Sequence, residues 1–159
     1  MQDTPELLRR LLAAGFDMVI VGGVAAIAHG SARFTQDLDV MARFDAENMQ
    51  RLHDALAATR PVHHPGSGVP LKPAGELGDF KNVYLSCTLG RLDILGDLGT
   101  SDFETLQAQA EVVPLFGADC RVLSLDDLIA AKSFAARPKD IEALIELRAI
   151  REKLRGSGA

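Results

Sequence analysis

The run Val19-Ile-Val-Gly-Gly-Val-Ala-Ala-Ile-Ala-His-Gly-Ser-Ala-Arg-Phe-Thr-Gln-Asp-Leu-Asp-Val40 decides how this chain is read. Residues 17–21 are apolar and β-branched, which predicts a buried strand. Gly22 and Gly23 stop it, residues 24–29 predict a compact helix, and Gly30 ends that helix. Residues 36–43 predict a second strand. Side chains alternate along a strand, so Asp37 and Asp39 share one face while Leu38 and Val40 share the other. One face is therefore expected to be core and the other to carry paired carboxylates.

Toward the N-terminus, Thr4-Pro5-Glu6 reads as a helix start, with Thr4 as cap and Pro5 in the first turn. Leu7, Leu8, Leu11 and Leu12 recur at helical spacing, and Gly15 ends the helix. Downstream, Asp45 is placed to cap a helix reaching about residue 58, with Met49, Leu52 and Leu56 on its apolar face. Residues 59–78 hold four of the seven prolines and read as a long surface loop. Residues 79–89 and 91–95 predict two strands joined as a hairpin. A short helix at 105–109 and strands at 111–116 and 120–123 follow. Ser124 starts a helix that Arg137-Pro138 breaks. A last helix from Pro138 is expected to bury Ile141, Leu144, Ile145, Ile150 and Leu154. Residues 1–155 read as one domain and 156–159 as a frayed tail. Strands interleaved with helices predict a mixed α/β (α+β) sheet flanked by helices, with C-terminal helices.

Asp93 lies between Leu92 and Ile94, so it can leave the core as Asp37 and Asp39 do. Hard carboxylate oxygens suit Mg2+, which needs only a few protein ligands when phosphate oxygens and water complete its shell. Asp93 could also take the proton of an attacking hydroxyl. Gly22 and Gly23 form either a plain tight turn or an opening where phosphate oxygens approach backbone N–H groups. The run is neither a Walker loop nor GxGxxG. Arg33 could pair with phosphate, pair with an aspartate, or stay solvated. Thr35 could orient a carboxylate. His63-His64 is either an exposed loop pair or a ligand for zinc or a base. His29 could touch phosphate or simply close a helix end.

Composition narrows the classes. The chain has 159 residues, 47% hydrophobic and 25% charged, with a net charge of −5. That fits one folded domain and speaks against broad binding to duplex DNA. No apolar run approaches the roughly 18 residues of a membrane span, and the N-terminus lacks signal-peptide features, so a cytoplasmic location is expected. Cys87 and Cys120 lack metal or redox spacing. A single tyrosine and no tryptophan argue against a platform stacking several RNA bases.

Gly-Gly, a short helix, Gly30-Ser31-x-Arg33-x-Thr35-x-Asp37-Leu38-Asp39 and a later strand aspartate together resemble the nucleotidyltransferase superfamily of DNA polymerase beta. The likeness is greatest to small bacterial members, including toxins of the abortive-infection type. It covers residues from about 17 to 147, and the C-terminal run Leu125…Lys132…Arg137-Pro-Lys139-Asp140 is similar to theirs too. The resemblance implies Asp37, Asp39 and Asp93 as ligands for Mg2+ (or Mn2+), and a nucleoside triphosphate with its phosphates at Gly22 and Gly23. Lys132 would face the nucleotide, unless it is a solvated helix lysine. The implied acceptor hydroxyl belongs to a protein, a tRNA end or a small molecule. An inert binding or regulatory relative in a toxin–antitoxin pair is the alternative. Gly23 stands where many members carry Ser; Ser31 is a candidate substitute for that hydroxyl.

Overall fold

A computed structural model describes residues 1–66 and 68–157. Its centre is an antiparallel pair, β1 (Met18–Val21) and β2 (Leu38–Ala42), joined through helix α2 (Gly22–Ala28). Every residue of β1 is buried, as expected of a strand covered on both faces. β2 pairs in parallel with β5 (Gly90–Leu95), and β5 forms the expected hairpin with β4 (Asn82–Cys87). β3 (Val62–His63) closes one edge. β7 (Ala118–Val122) joins β1 in parallel, and β6 (Glu111–Leu115) closes the other edge. The seven-stranded mixed sheet runs β3-β4-β5-β2-β1-β7-β6.

The register puts Leu38 and Val40, Leu92 and Ile94, and Val83 and Leu85 on one face, and all six are buried. Helix α1 (Thr4–Ala13) adds Leu7, Leu8 and Leu11 to that core, and α3 (Ala46–Ala55) adds Met49 and Leu52. Each such side chain contributes about 1.5–3 kcal/mol by leaving water. Buried Asn48 fastens the sheet's lower end. Its Nδ2 donates to Asp17 O (3.0 Å) and Arg43 O (2.7 Å), and its Oδ1 accepts from Asp17 N (2.8 Å).

Several local expectations need correction. Asp3, not Thr4, caps α1 by accepting from Glu6 N at 3.2 Å. α3 stops at Ala55, because Ala58 and Arg60 turn the chain with φ of 67° and 52°. The region read as a loop at 59–78 contains β3 and a one-turn helix α4 (Ala74–Leu77) that buries Leu77; Ser67 lies outside the described residues. Helix α5 (Phe103–Gln109) begins earlier than expected, capped by Asp102. Ser124 caps α6 (Leu125–Ala135) as expected, its Oγ accepting from Asp127 N at 3.1 Å.

A 3-10 turn at Pro138–Asp140 leads into α7 (Ile141–Ser157). The face expected for this helix is right at Leu144 and Ile150 and wrong at Ile141, Ile145 and Leu154. Ala143, Leu144 and Leu147 are buried, with Ile150 packed beside them, while Ile141, Ile145 and Leu154 are exposed. Spacings of three and four residues through Leu147 carry the true stripe. The helix takes in residues 156 and 157 of the expected tail; residues 158 and 159 lie outside the described ones. No helix among the described residues is long and apolar enough to cross a membrane.

Candidate active site

The parallel register of β2 and β5 sets Asp39 opposite Asp93, and the antiparallel register of β5 and β4 sets Asp93 opposite Tyr84. All three side chains thus stand on the sheet face away from Leu38 and Leu92. Asp37, just before β2, reaches the same place. Asp37, Asp39 and Asp93 share a cavity of about 380 Å3 with Gly22, Asn82 and Tyr84. Lys132 of α6 and, from the turn after it, Arg137 and Lys139 also line this cavity. It therefore has one wall of carboxylates and one of cations.

Gly22 is what lets the acids stand there. Its φ is +63°, and a Cβ on it would lie 3.0 Å from both Cβ and Cγ of Asp39 and closer still to Oδ2. Gly23 has a different neighbour. A Cβ there would meet Thr35 Oγ1 at 2.5 Å and Thr35 Cβ at 2.7 Å. The volume of a Ser side chain at position 23 is thus already taken by Thr35, whose hydroxyl lies 3.4 Å from Asp37 O.

The electrostatics match this crowding. Burial pushes the Asp39 carboxyl up to about 6, and Asp93 and Asp37 add to the rise against the pull of Lys132 and Lys139. Burial also raises Asp93; Asp37 adds to the rise, and Arg91 and His64 oppose it. Arg91 Nη2 lies 3.6 Å from Asp93 Oδ1, too far for a hydrogen bond, and that buried oxygen has no hydrogen-bond partner. On the cationic wall, Asp140 is only 3% exposed. It accepts from Arg137 Nε (2.8 Å) and Nη2 (3.3 Å), and Lys132 Nζ lies 3.7 Å away. Burial alone would raise Asp140, but the Arg137 hydrogen bonds and the two positive charges outweigh it and hold the carboxyl below its ordinary range. α6 ends at Ala136 in a left-handed turn (φ 49°), which brings Arg137 back toward Asp140.

A divalent cation fits this donor set. The acids offer hard oxygens, one of them buried and without a hydrogen bond, and their mutual repulsion is what a cation would relieve. Among the described residues no three His, Cys, Asp or Glu side chains stand in ready ligating geometry. The acids are gathered at one cavity and not preformed as a cage. A cation would take one or two carboxylates, with water and phosphate oxygens completing its shell, as Mg2+ commonly does.

Of the residues expected at the site, Gly22, Asp37, Asp39, Asp93 and Lys132 line this one cavity. Gly23, Ser31 and Arg33 do not line it. Ser31 Oγ donates to Glu146 Oε1 at 2.5 Å, Ala32 N donates to Glu146 Oε2 at 3.1 Å, and Arg33 pairs with Glu142 at 3.4 Å. These contacts fasten the α2–β2 connector to α7. His29 is likewise structural, its Nε2 2.7 Å from Leu123 O and its Nδ1 3.5 Å from Glu111. Sequence reasoning gave no site role to Asn82, Tyr84, Arg137, Lys139 or Asp140. For Asn82 and Tyr84 a signal existed, since alternation from Asp93 through the hairpin puts both on the acid face. For Asp140 no local signal exists, because its partners come from a helix end and a reversal.

No protein-family model and no curated protein matches the chain. Solved structures do match. ANT(2'')-Ia in complex with adenylyl-2''-tobramycin has a TM-score of 0.57 at 16% identity, covering 98% of both chains. A candidate nucleotidyltransferase from Thermotoga maritima has a TM-score of 0.52 at 19% identity, covering 92% of this chain and 94% of its own. The fold is that of the nucleotidyltransferases.

Proposed function

We propose that this chain uses its nucleotidyltransferase fold to move a nucleoside monophosphate from a nucleoside triphosphate to an acceptor hydroxyl, releasing pyrophosphate. The observation that carries the proposal is the registered Asp39–Asp93 pair, facing Lys132 and Arg137 across one cavity beside a glycine that admits no side chain. Mg2+ or Mn2+, held by Asp39 with Asp37 or Asp93, would supply charge neutralisation at the phosphates.

The remaining work falls to the chain itself. Lys132, Arg137 and Lys139 offset triphosphate charge, and Asp140 fixes the first two in place. Gly22 leaves the floor of the cavity open. Asp93, whose carboxyl burial makes more basic than usual, accepts the proton of the acceptor hydroxyl. The acceptor oxygen bonds the α-phosphorus, the bond from that phosphorus to the bridging oxygen breaks, and pyrophosphate leaves. Positioning and fixed charge supply most of the acceleration.

The test uses each of four triphosphates labelled at the α-phosphate, with Mg2+ and cell lysate as acceptor source. Label should pass to one acceptor class, and Asp37→Ala combined with Asp39→Ala should abolish transfer without lowering Tm. Transfer that survives the double substitution overturns the proposal. Nucleotide binding without any transfer favours instead the regulatory, toxin–antitoxin reading.

A further inference from the structure

A second cavity, of about 270 Å3, adjoins the first at Tyr84 and Asn82, which line both spaces. Its other walls are His63, His64, Val69, Lys72 and Phe80. His63 and Phe80 are stacked, with centroids 5.4 Å apart and planes at 22°. His63 is fixed in that pose because its Nε2 accepts from Lys72 N at 3.1 Å. Tyr84 OH accepts from Asn82 Nδ2 at 3.1 Å, and Asn82 is itself held by Gly96 N, donating to its Oδ1 at 3.1 Å. The Tyr84 hydroxyl proton is therefore left to donate into the cavity.

Two features set the chemistry of a guest. The stacked His63–Phe80 pair and the Tyr84 ring among its walls favour a planar guest. No carboxylate lines the chamber among the described residues, and its one permanent charge is Lys72. The polarity is thus opposite to that of the neighbouring acid wall. Position supplies the third argument, since Tyr84, the register partner of Asp93, and Asn82 line both this chamber and the acid cavity. A guest here would adjoin the acid cavity across Tyr84 and Asn82.

We infer that this chamber is the acceptor subsite and takes a small planar ring alcohol that is neutral or anionic, not a polyamine. The inference rests on the proposed nucleotidyl transfer. Its volume lies below the roughly 300–1,000 Å3 of drug-sized pockets, so it suits one ring and a substituent, not an oligosaccharide.

The matched phenols 4-hydroxyphenylacetate and tyramine, alike in shape and opposite in charge, test it at millimolar concentration by NMR. Ring-proton shifts of His63, Phe80 and Tyr84 report occupancy. The anion should bind about fivefold more tightly than the cation, the most an exposed lysine supplies. Lys72→Glu should invert that order, and Val69→Trp should abolish both sets of shifts. Equal binding of the two phenols, an order unchanged in Lys72→Glu, or no ring-proton shift with either phenol overturns the assignment. Melting with triphosphate and Mg2+, without any acceptor, is measured on the same proteins. A nucleotide-induced rise in Tm with a failed phenol test sinks the acceptor subsite alone. No rise in Tm sinks the transfer reading and the acceptor role with it.

Discussion

Asp39 and Asp93 are direct partners across the parallel β2–β5 pair, and burial keeps the Asp39 carboxyl near 6 against an ordinary 3.8. The sign of the consequence is fixed. The folded state holds a proton that the unfolded chain has lost between about pH 4 and 6, so stability falls as pH rises through that window. The deficit is complete above pH 6 and amounts to at most about 3 kcal/mol. In chelator, Asp39→Asn should therefore melt above the wild type at pH 7.5, and the difference should vanish below about pH 4. Mg2+ should raise the wild-type Tm and leave the variant unmoved. A variant less stable than the wild type at pH 7.5 would show that the buried Asp39 carboxylate does not destabilise the fold.

Asp140 is the counterpart on the cationic wall. Its carboxyl is held low, so the stability it contributes is present at neutral pH and lost as pH falls through that lowered value. Asp140→Asn keeps the shape and removes the charge. Leaving one charge buried without its partner typically costs about 3–5 kcal/mol, but Arg137 is half-exposed, so a loss of about 1–3 kcal/mol is expected. Urea titration gives the stability. Triphosphate affinity should fall as well, because Lys132 and Arg137 lose their common anchor. Unchanged affinity with lowered stability would make Asp140 a purely structural residue.

Which parts of this site were legible in the sequence follows from the range of the forces involved. The acid face was readable because strand alternation is a local rule, and it survives in the register that joins β2, β5 and β4. Gly22 was readable because a diglycine after an apolar run marks a sharp turn. Ser31 and Arg33 fall outside the acid cavity because their partners, Glu146 and Glu142, come from α7 more than a hundred residues away, and no local pattern announces that contact. The exposed Ile141 and Ile145 show the same limit. Hydrophobicity gave a stripe, but the fold kept only Leu144 and Ile150 of it and buried Ala143 and Leu147 beside them.

Ser31 offers a clean separation of fold from site. Its hydroxyl is committed to Glu146, and its Oγ also accepts from Arg33 N at 3.1 Å. Ser31→Ala should lower Tm by a few degrees and leave triphosphate affinity unchanged, as measured by calorimetry. A loss of affinity with Tm preserved would return Ser31 to the phosphate-binding role that its place in the sequence suggested.

Gly22 and Gly15 form a matched pair for the final prediction. Both have positive φ, +63° and +71°, so alanine at either position pays the left-handed penalty of about 1–2 kcal/mol. Gly15 faces open space, with no atom within 4 Å of an added Cβ, whereas at Gly22 the methyl meets the Asp39 side chain. Gly15→Ala should thus show the backbone cost alone, and Gly22→Ala a further 1–3 kcal/mol or so from overpacking. The extra contact also displaces one of the carboxylates on which transfer depends. Chemical denaturation together with an assay of pyrophosphate release should find Gly15→Ala weakened but active, and Gly22→Ala weakened further and inactive. Equal activity in the two variants would mean that the position of Asp39 does not govern the reaction.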